Sequence, residues 1–306
     1  MTTPRIKGVL TPVVTPFHSN GAINVPLFIR QCQWLQDNHI GLAVFGTNSE
    51  ANSLSPQERM EMLDALIEAG LAPARMMPGT GACDLPTAVQ LTRKAVAHQC
   101  GGVLALPPFY YKGVSDDGLF RFFAELIEQV GDDALRVYLY HIPPVAQVGF
   151  SVELVERLLK AYPKNIAGMK DSTGDIAHTQ TMLKHFAADG FDVFAGTETI
   201  LLDTLRAGGA GCISATANVN APAIHDLCQT WQQDDAPAKQ QAMNDLRAIF
   251  QKYPMIPALK AAVAHWSGED SWRHVRAPLV ALDDAQAHAL IQTLEEAGFS
   301  IEGLKS

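Results

Sequence analysis

Cysteine is sparse and unpatterned in this sequence: five in 306 residues, at Cys32, Cys83, Cys100, Cys212 and Cys228, with no C-x-x-C pair. That spacing offers no dithiol motif or disulfide framework and reads as buried free thiols in a reducing compartment. Positive charge is also in deficit. With 23 Lys and Arg against 32 Asp and Glu, the formal net charge is -9, which argues against nucleic acid or an anionic membrane surface as a partner. No apolar run is long enough to cross a bilayer. The opening stretch "MTTPRIKGVLTPVV" has neither a secretory h-region nor a cleavage site, so a cytoplasmic location is expected. Low-complexity segments are lacking as well, and the only repetition is structural.

What is present is core material, 47% hydrophobic with 18% charged, arranged as short apolar runs that alternate with amphipathic stretches. Eight runs read as strands: "GVLTPVV" from Gly8, "GLAVFG" from Gly41, "RMMPGTG" from Arg75, "GGVLALP" from Gly101, "RVYLYHI" from Arg136, "IAGMK" from Ile166, "DVFAG" from Asp192 and "GCISAT" from Gly211. They are continuously apolar rather than alternating, as strands covered on both faces should be. Helix signals stand between them. Ser55, Pro56 and Glu58 spell a capped start that Gly70 closes, and Ser151 opens a helix that stops before Pro163. Strand–helix units of roughly 30 residues predict an α/β protein, a (β/α)8 TIM barrel over residues 1–225. The remaining stretch, residues 226–306, reads as a C-terminal helical extension built from "AKQQAMNDLRAIFQKY", "PALKAAVAHW" and "DAQAHALIQTLEEAG".

In such a barrel the chemistry lies at the C-terminal ends of the strands. The expected ends carry Thr47, Asn48 and Ser49 after strand two, Tyr110 and Tyr111 after strand four, Tyr140 and His141 on strand five, Lys170 on strand six, Gly196 on strand seven and Ser214 on strand eight. Lys170 ends the apolar run of "NIAGMKDSTGD". It is either a strand-end charge that snorkels to water or an amine meant to react. Apolar surroundings disfavour the ammonium form, and a neutral amine there can attack a carbonyl to form a Schiff base. Bond making or breaking beside a keto acid then needs a proton shuttle and no metal. Tyr140, one strand away, is the natural acid/base, and Thr47 could relay protons between tyrosine hydroxyls. The amides of "TNSE" could hold a carboxylate. His141 reads more simply as a structural histidine, and "GGAG" at Gly208 as a turn before the last strand. Asp171 and Asp175 have no partners at ligand spacing, so neither metal nor cofactor is expected.

Taken in order, "GVLTPVVTPF", "GTNSE", "PPFYYKGVSDDGL", "LYHIP", "GMKDSTGD", "FAGTE" and "GGAGCISATANV" make the chain resemble the dihydrodipicolinate synthase / N-acetylneuraminate lyase family of class I pyruvate-dependent aldolases, over roughly residues 5–225. The resemblance implies a Schiff-base role for Lys170, an acid/base role for Tyr140 and a relay by Thr47. It also implies a second tyrosine reaching across a subunit contact, matched by Tyr111 in preference to Tyr110. A keto-acid carboxylate would rest on the Thr47 and Asn48 amides, with Gly196 and the Ile213 backbone close to the lysine. The partners implied are pyruvate, or a 2-keto acid that yields it, plus an aldehyde, and the assembly a homotetramer built as a dimer of dimers. Two departures bear on the substrate. Asn48 and Ser49 replace the Thr and Gly of the usual "GTTGE" signature. Where authentic synthases read "YNVPSRTG", with an arginine that grips the second substrate's carboxylate, this chain reads "YHIPPVAQVG" and places Val145. The expected function is therefore a Schiff-base aldolase or lyase. The alternatives are an authentic 4-hydroxy-tetrahydrodipicolinate synthase with another carboxylate anchor, a 2-keto-3-deoxy acid dehydratase, or a non-catalytic keto-acid binding protein.

Overall fold

A computed structural model describes residues 5–304. In chain order its elements begin with β1 (Gly8–Thr11), α1 (Val25–Asp37), β2 (Gly41–Leu42), α2 (Pro56–Glu68), α3 (Leu85–Ala97), β3 (Val103–Ala105) and α4 (Asp116–Val130). Next come β4 (Val137–His141), the short α5 (Pro143–Ala146), α6 (Val152–Ala161), β5 (Ile166–Asp171), α7 (Ile176–Phe186), β6 (Asp192–Ala195), α8 (Leu201–Arg206) and β7 (Gly211–Ile213). Four helices follow: α9 (Ala217–Thr230), α10 (Ala236–Phe250), α11 (Met255–Ser267) and α12 (Asp284–Glu296). No helix among the described residues is long and apolar enough to cross a membrane.

The chain divides into two compact units, one from Met1–Gly8 and Ala72–Ile213, the other from Val9–Leu71 and Ser214–Ser306. The first holds parallel strands in the order β7-β6-β5-β4-β3. Every residue of β4 and of β5 is buried, which is why these segments carry no polar alternation. In the second unit β1 and β2 pair in parallel through Leu10–Gly41 and Thr11–Leu42.

The helix starts follow local chemistry. Ser55 accepts from the Glu58 N–H while the Glu58 carboxylate accepts from the Ser55 N–H, a complete capping box with Pro56 at the first helical position. Ser151 caps α6 with its hydroxyl alone, accepting the Leu154 N–H. The segment from Arg75, expected as a full strand, is instead a single parallel bridge between Gly79 and Leu104. Thr80 N–H donates to Leu104 O and Leu104 N–H to Pro78 O. Pro78 has no N–H to give, and the flanking glycines supply no side chain to pack, so the ladder does not lengthen. The expected second strand also stops early, because Phe45 turns to a φ of 61° three residues after Leu42. Among the described residues this makes seven strands rather than eight. The cysteines need a correction too: Cys32 and Cys212 are buried, but Cys83 is exposed on the loop before α3. Burial pushes the Cys100 thiol up to about 12 and the Cys228 thiol up to about 11, so neither is a ready nucleophile.

Candidate active site

In the first unit, strand register decides which side chains meet. Tyr140 on β4 lies opposite Lys170 on β5, and Lys170 lies opposite Phe194 on β6. Residues paired across neighbouring strands share a face, so the phenol and the amine emerge side by side. Lys170 Nζ donates to Tyr140 Oη at 3.2 Å and sits 4.3 Å from the centre of the tyrosine ring. Both residues are 4% exposed. Among the described residues no carboxylate lies within ion-pair reach of Lys170, so its amine is held by an aromatic alcohol rather than by a counter-ion.

Two more expected residues lie at neighbouring strand ends. Gly196 follows β6, and its N–H donates to Asp171 O at 2.6 Å. A Cβ at Gly196 would overlap Ser172 Oγ, so only glycine lets the two turns approach this closely. Ser172 Oγ is buried and makes no hydrogen bond among the described residues, which leaves a hydroxyl open beside this turn. Ile213 is the last residue of β7 and fully buried, one step beyond the Ala195–Cys212 pairing.

Tyr111 stands apart from these groups. It is 69% exposed and Tyr110 73%, on the loop after β3, and their rings meet edge to face at 5.3 Å. Val145 is 63% exposed on α5.

Thr47 and Asn48 belong to the other unit, where Thr47–Ser49 form a 3-10 turn. Thr15 Oγ1 donates to Ser49 O at 2.7 Å, and Glu50 follows with a φ of 57°. That left-handed residue is fixed by an ion pair the sequence gives no hint of. Lys260 on α11 donates to Glu50 Oε1 at 2.7 Å with both side chains fully buried, and Arg276 N–H donates to Glu50 Oε2 at 2.9 Å. Burial lowers the Lys260 ammonium to about 8, although Glu50 works against that shift. Lys260→Met would leave Glu50 charged and buried, with a cost of about 3–5 kcal/mol. The expected result is a large drop in denaturation midpoint, which Lys260→Met with Glu50→Gln should partly restore.

A second set missed by sequence reading lies on the opposite face of β4 and β5. His141 is in register with Asp171. Asp171 Oδ1 accepts from the Thr173 N–H and Oγ1, and Oδ2 from Thr179 Oγ1 at 2.7 Å and His178 Nδ1 at 2.8 Å. The His141 and His178 rings stack 4.5 Å apart and 8° from parallel. His141 Nδ1 accepts the Phe150 N–H at 3.0 Å. The ligand atoms of these three residues lie within 4.8 Å of one another, but near-parallel stacked rings aim their in-plane lone pairs along separate planes, not at one ion. The set is therefore a hydrogen-bonded cluster.

Its charges follow from position. Burial, and then His178, push His141 down to about 4. The hydrogen bond to Asp171 raises His178. Burial pushes the Asp171 carboxyl up, but hydrogen bonds from His178, Thr179 and Thr173 outweigh it, and the net direction is down. A histidine lowered on folding stabilises above its unfolded pKa and loses that contribution as pH falls through the folded value. One raised on folding stabilises below the unfolded value and loses it as pH rises through the folded one. His141 should thus remove up to about 3 kcal/mol as pH falls from about 6.5 towards 4, and His178 should weaken the fold on the alkaline side. Denaturant titrations across pH should show His141→Asn flattening the acid limb and His178→Asn the alkaline one.

The model of the dihydrodipicolinate synthetase family matches residues 5–297. An uncharacterized DapA-like lyase of Chloroflexus aurantiacus is 29% identical over 287 residues, 93% of this chain and 94% of that protein. A 4-hydroxy-tetrahydrodipicolinate synthase of Agrobacterium fabrum is 32% identical over 302 residues, 95% and 98% of the two chains. Among solved structures, dihydrodipicolinate synthase from Agrobacterium tumefaciens matches at a TM-score of 0.88 and 32% identity, covering 95% of this chain and 99% of its own. The prophage protein YagE of E. coli, crystallised in complex with pyruvate, matches at 0.87 and 25%, covering 96% and 99%. With the family's description running almost the whole length of the sequence, this chain belongs to the dihydrodipicolinate synthetase family.

Proposed function

We propose that the protein is a class I lyase that forms a Schiff base between Lys170 and pyruvate, or a 2-keto acid that releases pyruvate. The observation that carries this reading is the buried Lys170–Tyr140 pair, 3.2 Å apart and, among the described residues, without a carboxylate partner for the amine. The neutral amine adds to the keto carbon, and the carbinolamine loses water, with Tyr140 supplying and taking back protons. The imine makes the neighbouring methyl acidic. The resulting enamine attacks an aldehyde, or forms by the reverse cleavage; expulsion of a hydroxide instead would give a dehydration. Thr47 relays protons, the Thr47 and Asn48 amides opening the 3-10 turn receive the keto-acid carboxylate, and Gly196 and the Ile213 backbone flank the imine. Tyr111, exposed in the single chain, completes the relay from a neighbouring subunit of a homotetramer. The likeness to the Agrobacterium structure supports a (β/α)8 barrel, to which we assign the last helices as an extension. No metal or cofactor enters this scheme.

An exposed Val145 at the position of the expected arginine argues for an acceptor other than aspartate semialdehyde, since a bidentate charged contact is among the strongest handles a site can offer. The test is a panel of aldehydes, aspartate semialdehyde included, offered with pyruvate and read by mass spectrometry. Preferred consumption of another aldehyde is expected. If aspartate semialdehyde proves the best acceptor, the chain is an authentic 4-hydroxy-tetrahydrodipicolinate synthase, as several relatives are named.

A further inference from the structure

We infer that His141 is a positioning residue for the carbonyl acceptor: its imidazole holds the loop between β4 and α6 in the shape that receives the second substrate, while Tyr140 and Lys170 handle the keto acid. The inference rests on the Schiff-base reading for its chemistry and on separate contacts for its geometry.

His141 directly follows Tyr140 but points away from Lys170, because successive strand residues alternate in face. It therefore has no direct route to the reacting atoms. What it does hold is the far end of the loop that leaves β4, through the Phe150 N–H on Nδ1 at 3.0 Å. That bond fixes the tautomer, with the proton on Nε2. Gly149 gives the ring its place, since a Cβ there would stand 2.7 Å from His141 Cε1 and 3.1 Å from Nδ1. The backbone of the same residue is tied to the next strand, with Ser172 N–H donating to His141 O at 2.7 Å. The middle of the loop is pinned independently, by Lys112 Nζ donating to Ala146 O at 2.8 Å. Loops that leave the C-terminal ends of parallel strands form the walls where ligands lie. Here the loop after β3 ties to the Ile142–Phe150 segment through Lys112, the turn after β5 ties to His141 through Ser172, and the His141 side chain closes the segment at Phe150. His178 stacks behind the ring and Asp171 holds His178, so the imidazole cannot turn without disturbing both.

The test compares His141→Leu, which keeps bulk but accepts no hydrogen bond, with His141→Asn, whose amide oxygen can accept one. Amide hydrogen exchange over residues 142–151 reads the loop, borohydride trapping of pyruvate reads the imine, and KM for glyoxylate under saturating pyruvate reads the acceptor. His141→Leu should raise exchange in this segment and the glyoxylate KM about tenfold each, the worth of one buried hydrogen bond, with imine trapping unchanged. His141→Asn should recover part of both. Gly149→Ala should loosen the same segment on its own, and should add little on top of His141→Ala, which removes the ring that the new Cβ would meet. Unchanged exchange in His141→Leu would overturn the inference, and so would equal losses in trapping and acceptor use. Failure of the unaltered protein to trap pyruvate would instead strike the Schiff-base reading, and the exchange result would still decide whether His141 anchors the loop.

Discussion

Replacing Lys170 by alanine is expected to lower kcat/KM by at least about four orders of magnitude, because a covalent intermediate cannot form without its amine. The effect should fall on the chemistry and leave the fold intact. Among the described residues Lys170 makes no ion pair whose loss would strand a buried charge, and its hydrogen bond goes to a phenol that keeps its packing against β5. Circular dichroism and the denaturation midpoint should stay close to those of the unaltered protein. Lys170→Arg should be as inactive as the alanine variant, since a guanidinium stays protonated and is not a nucleophile at any working pH. Appreciable turnover by either variant would remove the mechanism.

Tyr140→Phe carries the second-largest expected effect, a loss of about two to four orders of magnitude in kcat, the usual range for a positioned acid/base. Phenylalanine keeps the ring that Lys170 Nζ faces at 4.3 Å and removes only the oxygen at 3.2 Å. The variant should therefore still bind pyruvate and form the imine slowly, so that borohydride traps it after long incubation while turnover stays low. Parallel Phe substitutions at Tyr110 and Tyr111, whose rings touch each other in the single chain, test the proposed relay: Tyr111→Phe should lower kcat and Tyr110→Phe should not.

The Lys170–Tyr140 pair could be foreseen because it depends on two local features, the end of an apolar run and a strand one connection away. Parallel register then does the rest. Helix starts at Ser55 and Ser151 were legible for the same reason, as a cap is written within four residues of the sequence. Strand length was not. The run from Arg75 looked like its neighbours, but a ladder needs an N–H at each alternate step, and Pro78 has none with which to extend the pairing beyond the Gly79–Leu104 bridge. The early end of β2 depends on a positive φ at Phe45, which an aromatic side chain does not advertise.

Long-range polar clusters were illegible for a further reason. Glu50 meets Lys260 across 210 residues. His178 reaches Asp171 from the facing helix and then stacks on His141 from another strand. Each member taken alone is a polar residue in an ordinary setting, and only the packing of helix on strand makes it a network. Alternation along β4 turns His141 away from Lys170 and into this cluster.

The most direct measurement is the mass of the protein after incubation with pyruvate and reduction by borohydride, followed by peptide mapping. An imine between Lys170 and the keto carbon predicts a single adduct equal to pyruvic acid less one oxygen atom, located on the peptide that contains Lys170. The adduct should be absent when either pyruvate or borohydride is withheld. An unmodified protein, or an adduct spread over surface lysines with Lys170 untouched, would contradict the account.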